Sequence, residues 1–218
     1  MSRSERMINS QINSNVGHVI RAFVLGKALY LSRKRSLLCL LNKVCVYYPN
    51  QVWCSDITYI RMKHGHIYLM AIMDWYSRYV IDWELSTTLE ANFCVETLNR
   101  SLSKSCCGIF NTDQGSQFTS NEWIKTLITH DVTISMDGRG RCFDNIFIER
   151  LWRSVKYECI FLKEFATVAE VRDALVRYFE YYNTDRYHQK LENFTPAEVY
   201  FGEVELEGLF KKTTSIIL

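Results

Sequence analysis

Three consecutive strand-type segments, followed by alternating helices and strands, constrain the fold of this chain most. The first three segments, 52–62, 67–75 and 79–85, are rich in β-branched and aromatic residues and are separated by short turns. Helical spacing then follows at 90–103, 121–130, 143–160 and 168–182, with short strand patterns at 109–111 and 132–135. This order predicts an antiparallel meander joined by crossover helices to parallel strands. The expected fold class is α/β, with one central sheet covered by helices on both faces.

The composition excludes several classes of protein. Apolar residues make up 48% and charged residues 23%, which is typical of a globular chain and not of a disordered one. No apolar run reaches the roughly 18–20 residues that span a bilayer, and no signal peptide is recognisable, so we expect a cytoplasmic protein without a membrane segment. The eight cysteines form no CxxC pair and no Cys–His cluster, which favours reduced thiols over a disulfide scaffold or a zinc site.

The net charge of +2 hides an uneven distribution. Residues 1–43 carry eight Lys or Arg and one acid, whereas the rest of the chain carries 18 basic and 23 acidic residues. A basic arm on an acidic body is one pattern of nucleic-acid-binding proteins, although short basic tails also occur for many other reasons. We divide the chain into a basic segment at 1–48, a core with a helical extension at 49–202 and a tail at 203–218.

Three acidic residues lie in positions that need an explanation. Asp56 lies in the middle of an apolar strand, where aspartate is uncommon. Asp113 follows the strand at 109–111, and α/β proteins tend to bind ligands at strand ends. Glu149 lies on the 143–160 helix, opposite its apolar side. Each has a structural alternative: a strand-edge charge for Asp56, ordinary turn chemistry for Asp113, and an exposed Glu149–Arg153 pair.

Considered together, the three acids favour a metal site. Three carboxylates brought close would repel one another and raise their pKa values unless a cation neutralised them. Mg²⁺ is commonly held by a few carboxylates, and two such ions about 3.5–4 Å apart can promote phosphodiester chemistry. Lys156 lies on the same helix face as Glu149, where it can meet a phosphate.

At these residues the sequence resembles the catalytic core of bacterial transposases of the insertion-sequence-3 family. The matching segments are NQVWCSDITYIRM (50–62), YLMAIMDWYSRYVIDWEL (68–85), IFNTDQGSQFTS (109–120), ISMDGRGRCFDNIFIERLWRSVKYE (134–158) and YYNTDRYHQKLENFTPAEVYFG (181–202). The resemblance covers about 70% of the chain. The three acidic positions of the family fall on Asp56, Asp113 and Glu149, with 35 residues between the last two, and its basic residue falls on Lys156.

The resemblance implies an RNase H-like fold of the retroviral integrase type, with a mixed five-stranded sheet. It also implies a DDE-type DNA transposase in which the three acids hold two Mg²⁺ ions, with Mn²⁺ as a substitute. Such an enzyme hydrolyses a phosphodiester at an element end, and the freed 3′-hydroxyl then attacks a second DNA strand. Arg153, Lys156 and Asn145 would contact DNA. The implied setting is a homo-oligomer in the bacterial cytoplasm, associated with the nucleoid.

The resemblance ends before the N-terminal part of the chain. Complete members of the family carry a helix-turn-helix segment ahead of the core, and residues 1–32 show no such pattern. We therefore expect an N-terminally shortened chain. The alternative to an active enzyme is a non-catalytic fragment, either inactive or regulatory through binding to DNA or to a full-length transposase.

Several other residues have two interpretations. Asn145 can cap the catalytic helix or contact substrate. Asp74 can belong to the acidic site or stabilise a strand end, and the second role is favoured. Arg186 and His188 can contact DNA or tie the last helix to the core. Four tryptophans are expected in the core: Trp53, Trp75, Trp83 and Trp152.

Overall fold

The computed structural model describes residues 44–63, 65–136 and 146–204. Its strands are β1 (Val52–Met62), β2 (Gly65–Asp74), β3 (Val80–Ser86), β4 (Ile109–Thr112) and β5 (Thr133–Met136). Its helices are α1 (Asn92–Lys104), α2 (Asn121–Thr129), α3 (Ile146–Glu158), α4 (Val168–Thr184) and α5 (Pro196–Tyr200). Short 3₁₀ helices at Ile160–Leu162 and Gln189–Leu191 follow α3 and α4.

The five strands form one mixed sheet in the order β3-β2-β1-β4-β5. The first three strands pair antiparallel, and β1 pairs parallel with β4, which pairs parallel with β5. The predicted meander and crossover connections are therefore confirmed. Helices cross between the parallel strands because parallel strands cannot be joined by a tight turn.

Two apolar clusters cover the two faces of the sheet, as predicted. On one face α1 and α2 pack against side chains that include Trp53 and Phe110. On the other face α3 and α4 pack against side chains that include Cys54 and Ile60. Because side chains alternate along a strand, Asp56 projects from the same face as Cys54 and Ile60, towards the layer that contains α3.

The bounds of most elements agree with prediction to within two residues, and β1 has the predicted bounds. The helix predicted at 143–160 runs from Ile146 to Glu158 within the described residues. Helix α5 was predicted only as part of a helical extension. It begins with a capping box, in which the Thr195 hydroxyl accepts the N–H of Glu198 and the Glu198 carboxylate accepts the N–H of Thr195.

The two outer strands of the meander, β1 and β3, have different neighbours. β1 pairs with β4 only from Val52 to Cys54, so that the rest of β1 extends beyond this parallel ladder. β3 forms an outer edge of the sheet, and the Asn183 side chain of α4 binds it there. The Asn183 amide accepts the backbone N–H of Val80 and donates to the Val80 carbonyl, both at 2.9 Å.

Several predictions lie outside the described residues. They concern Asn145, nearly all of the segment 1–48 and nearly all of the tail 203–218. Within the described part, no helix has the length and apolar character needed to cross a membrane. The six cysteines in that part are free.

Candidate active site

Asp56 is the innermost of the three predicted acids. One of its carboxylate oxygens accepts a hydrogen bond of 2.9 Å from the indole Nε1–H of Trp152, which is on α3. Burial raises the pKa of Asp56 above its ordinary value of 3.8, and the N–H groups of Trp152 and Ile57 oppose this rise. The negative charges of Asp113 and Glu149 raise the pKa of Asp56 further. The fold therefore brings both acids close enough to act on Asp56.

The register of the parallel strands β1 and β4 places Asp113 near Asp56. Cys54 of β1 pairs with Asn111 of β4, and Asp56 and Asp113 each lie two residues further along the chain. The Asp113 side chain is exposed, and its Oδ1 accepts the backbone N–H of Gly115 at 2.9 Å. A Cβ atom on residue 115 would lie 2.9 Å from the same oxygen, so a larger residue there would displace the Asp113 carboxylate from this hydrogen bond.

Glu149 lies in the first turn of α3 and is exposed. The positive end of the helix dipole favours a carboxylate at this position. The opposite side of α3 buries Ile148, Leu151 and Val155 against the sheet, which fixes the helix beside β1. The predicted alternative of a Glu149–Arg153 ion pair is not found among the described ion pairs.

The three acids fit a hard divalent cation in the kind of atom that they offer. Carboxylate oxygens are the ligands that Mg²⁺ prefers. Burial, and to a smaller extent the charges of Asp113 and Glu149, raise the pKa of Asp56, and a bound cation would oppose that rise. In the described residues, however, no three His, Cys, Asp or Glu side chains lie close enough to hold one metal ion. The hydrogen bond from Gly115 keeps the Asp113 carboxylate within its own turn. The acids are therefore neighbours and not an assembled ligand set.

Comparison with known proteins identifies the family. Two models, each described as an integrase core domain, match residues 47–142 and 130–196. The transposase of insertion sequence element IS904 from Lactococcus lactis is 35% identical over 159 residues, which are 69% of this chain and 61% of that protein. The putative transposase InsK of IS150 from Escherichia coli is 31% identical over 153 residues, or 69% of this chain and 54% of that protein. The transposase InsF of IS3A, also from Escherichia coli, is 33% identical over 154 residues.

The chain belongs to the insertion-sequence-3 transposase family. It spans between half and two thirds of the length of these curated relatives.

Solved structures confirm the predicted fold of this transposase core. The magnesium complex of the HTLV-2 integrase catalytic core superposes with a TM-score of 0.51 at 18% identity, over 70% of this chain and 97% of that one. The intasome of simian T-cell lymphotropic virus gives a TM-score of 0.59 at 14% identity, over 77% of this chain and 60% of that one. The fold is therefore RNase H-like, of the retroviral integrase type.

The predicted DNA-contacting residues of the transposase core lie along α3. Arg153 is exposed, and its guanidinium carbon is 6.0 Å from the ring centroid of Tyr157. Lys156 is half-buried, and its ammonium is 5.5 Å from the ring centroid of Tyr59, which is on β1. Both cations lie on the helix that carries Glu149, which leaves a phosphate-binding role open to them.

Asp74 of the transposase core stabilises a strand end, which is the role that the sequence favoured. It is fully buried, and its carboxylate accepts the backbone N–H and hydroxyl of Ser77 and the backbone N–H of Asn50. Burial raises the pKa of Asp74 as well, while these hydrogen bonds lower it. In the sheet Asp74 pairs with Trp53, three residues before Asp56.

Arg186 and His188 make contacts that support the structural alternative. The Arg186 guanidinium donates to both carboxylate oxygens of Glu158, at 2.9 and 2.7 Å, and so ties the segment after α4 to the end of α3. Burial, and then the charge of Arg186, lower the pKa of His188 to about 4. The His188 ring, which is neutral at pH 7, packs edge-on against Tyr182.

Sequence reasoning missed the second role of Trp152. This residue belongs to the core as predicted, but its N–H is also the side-chain donor that holds Asp56. The signal was its position three residues after Glu149, because residues separated by three positions are neighbours on one helix surface. Trp53 is also in the core, and Trp75 and Trp83 are partly buried against it.

A second missed contact fixes the start of α3. The Phe147 ring lies between the Trp75 ring, 5.4 Å away in an edge-to-face contact, and the guanidinium of Arg78. Arg78 also donates to the Trp75 carbonyl. Burial lowers the pKa of Arg78 to about 10, so it remains charged at neutral pH. This cluster anchors the helix two residues before Glu149.

Proposed function

We propose that the chain is a DDE-type DNA transposase core that cleaves a phosphodiester at an insertion-sequence end and joins the freed 3′-hydroxyl to another DNA strand. Asp56, Asp113 and Glu149 are the catalytic carboxylates of this proposal. The observation that carries it is geometric: the register of β1 and β4 places Asp56 and Asp113 at equivalent positions of the two strands, and Trp152 of α3, the helix that carries Glu149, donates to Asp56, within a family of transposases.

In this proposal the three carboxylates hold two Mg²⁺ ions, for which Mn²⁺ can substitute. Bound ions of this kind supply activation of the attacking oxygen and stabilisation of the leaving oxygen. The Trp152 N–H orients the Asp56 carboxylate and favours its ionised form, which is the form that binds a cation. Asp113, which accepts the Gly115 N–H within its own turn, would have to rotate towards Asp56 to share a cation with it. Glu149 is the acid that is left exposed towards substrate.

The proposed substrates are the DNA ends of an insertion sequence and a target DNA. Arg153 and Lys156 would bind backbone phosphates next to the reacting one, and Asn145 is retained as a third DNA contact. In the first step water adds across one phosphodiester bond and leaves a 3′-hydroxyl. In the second step that hydroxyl exchanges one phosphodiester for another. A homo-oligomer is proposed for strand transfer because two element ends must react together.

The test is a cleavage assay with the purified chain and duplex oligonucleotides taken from the ends of the element that encodes it. We expect strand nicking that requires Mg²⁺ or Mn²⁺ and that Glu149→Gln abolishes. The matched control is Glu158→Gln, because Glu158 lies on the same helix and is bound by Arg186. Nicking that persists in Glu149→Gln would show that these acids are not the catalytic group.

The alternative is a chain that binds DNA or a longer transposase without catalysis. The observation that favours this alternative is that the chain spans only 54% of the InsK protein. Retarded migration of end DNA without metal-dependent nicking would favour this alternative.

A further inference from the structure

An exposed ridge begins at Glu149 on α3 and continues into the 3₁₀ helix Ile160–Leu162 that follows it. Glu149, Arg153 and Tyr157 follow one another at intervals of four residues, which makes them surface neighbours along α3, and Phe161 lies in the 3₁₀ helix. The last two are large aromatic residues, 65% and 64% exposed. Their rings meet edge-to-face with centroids 5.4 Å apart. We call Tyr157 and Phe161 the aromatic pair.

The core of the protein does not account for the aromatic pair. The buried side of α3 is already filled by Ile148, Leu151, Trp152 and Val155. Adjacent large apolar side chains that stay in solvent commonly mark a binding surface. The aromatic pair is therefore available to a ligand in the folded chain.

The charges around the aromatic pair indicate the chemistry of that ligand. Arg153 approaches the Tyr157 ring at 6.0 Å, and Lys156 is the preceding residue. The nearby acid, Glu158, is neutralised by Arg186 at 2.7 Å. Aromatic faces beside unpaired cations suit a polymer of flat rings and phosphates, because bases stack on the rings and phosphates pair with the cations.

The spacing relates this surface to the carboxylate site. Tyr157 lies eight residues after Glu149, a distance of about 12 Å at the rise of an α-helix. The aromatic pair is thus within a few nucleotides of a phosphate bound at Glu149, and Arg153 lies between the two positions.

We propose that the aromatic pair is a stacking platform for unpaired bases of the DNA strand within a few nucleotides of the reacting phosphodiester. Arg153 and Lys156 bind the phosphates between the platform and the carboxylates. This inference rests on the proposed function for the position of the reacting phosphate. It assigns the platform to single-stranded DNA and not to duplex or to a protein surface.

The test uses the full chain and a duplex with a 12-nucleotide single-stranded extension that carries 2-aminopurine, whose fluorescence falls when the base stacks. We expect quenching on binding when 2-aminopurine lies within a few nucleotides of the phosphate that is cut, and no quenching when it lies at the far end of the extension. Tyr157→Ala and Phe161→Ala should abolish the quenching and weaken binding of a single strand roughly 10-fold. Binding of a fully paired duplex should change by less than about 2-fold.

Matched variants separate stacking from other causes. Tyr157→Phe keeps an aromatic ring and should retain the quenching. Phe201→Ala removes another phenyl ring that is 64% exposed, next to Tyr79 and Tyr200, and should leave single-strand binding unchanged. Unfolding midpoints confirm that each variant is folded.

Two outcomes would overturn the platform. One is single-strand binding and quenching that survive loss of both rings. The other is weaker self-association in Tyr157→Ala and in Leu162→Ala alike with DNA binding intact, because Leu162 is a 72% exposed apolar neighbour that cannot stack with a base. That outcome would assign the surface to a second copy of the chain.

The catalytic proposal fails independently of the platform. Glu149→Gln keeps the aromatic pair, so quenching should persist in that variant while nicking is lost. Quenching without nicking in the wild-type chain, scanned at all positions of the extension, would refute catalysis and leave single-strand stacking supported. Nicking without quenching would refute the platform alone.

Discussion

Asp56 and Asp74 lie on adjacent strands near the centre of the sheet, and burial raises the pKa of both, but their partners differ. Asp74 accepts three hydrogen bonds from Ser77 and Asn50. These bonds compensate the burial of its carboxylate and fix the end of β2. Asp56 has one side-chain donor, Trp152, and two acids nearby. A buried charge that is well hydrogen-bonded serves the fold, whereas one surrounded by like charges is held in a state that a ligand can relieve.

The largest expected effect is the loss of nicking activity on substitution of Asp56, which substitution of Asp74 should not cause. Asp56→Asn should reduce metal-dependent nicking by at least about 10⁴-fold, as for other single catalytic groups. Its unfolding free energy should not fall, because the amide removes a charge from an acidic cluster. Assays of nicking and of urea unfolding check both halves. A stable Asp56→Asn chain with normal nicking would remove Asp56 from the site.

The same substitution at Asp74 should act on stability instead. Asp74→Asn places amide hydrogens where two backbone N–H groups and a hydroxyl already donate, and we expect a loss of about 2–3 kcal/mol of unfolding free energy. Nicking per folded molecule should remain within about 3-fold of wild type. An Asp74→Asn chain that is as stable as the wild type but inactive would contradict the structural role of Asp74.

Divalent metal should stabilise only the chain with an intact acidic cluster. At free Mg²⁺ ten times its Kd, the unfolding free energy of the wild type should rise by about 1.4 kcal/mol. Asp56→Asn should show a much smaller rise, and Asp74→Asn should show the same rise as the wild type. Thermal unfolding with Mg²⁺, with Ca²⁺ and with EDTA measures this. Equal rises in all three chains would mean that the ion binds elsewhere.

Trp152→Phe tests the role of the Trp152 N–H, the side-chain donor to Asp56. Phenylalanine retains most of the packing and removes the N–H that lowers the pKa of Asp56, so that pKa should rise further. We expect roughly 10-fold slower nicking at pH 7, as for loss of a hydrogen bond to a charged group. The acidic limb of the pH–rate profile should move to higher pH. A slower rate with an unmoved limb would indicate a packing effect alone.

The smallest effect concerns stability and pH. Because the folded-state pKa of Asp56 is raised above 3.8, its favourable contribution to stability is present below pH 3.8 and is lost as the pH rises through the raised value. Asp56→Asn should therefore be slightly more stable than the wild type at pH 7, and the gain should shrink as the pH falls towards 4. Urea midpoints across pH 4–8 test this. A gain that is constant with pH would contradict the raised pKa.

The sequence predicted most of the fold because its signals are local. β1 has the predicted bounds since a run of Val, Trp, Ile, Thr and Tyr favours a strand without help from distant residues. The helices followed from apolar spacing in the same way. The predicted meander with parallel strands needed only the rules that short turns join antiparallel neighbours and that parallel neighbours require a crossover, whereas the strand order was not predicted.

The contacts that define the site could not be predicted in the same way. Trp152 and Asp56 are 96 residues apart, and their hydrogen bond depends on how α3 rests on β1. The contact of Arg78 with Phe147 likewise joins a turn to a helix across the sheet. The positions of the three acids were predicted from spacing and resemblance, whereas the hydrogen bond that keeps Asp113 in its turn depends on local backbone geometry.

The Asn183 amide also bears on how copies of this protein can meet. By bonding to both backbone groups of Val80, one side chain occupies the place where the backbone of a further strand would have to attach. Exposed strand edges are templates for growth of sheets between chains. The Asn183 side chain therefore closes the Val80 end of this outer strand to pairing with a strand of a second copy. A contact between two copies that joined their sheets at this point would first have to break both hydrogen bonds.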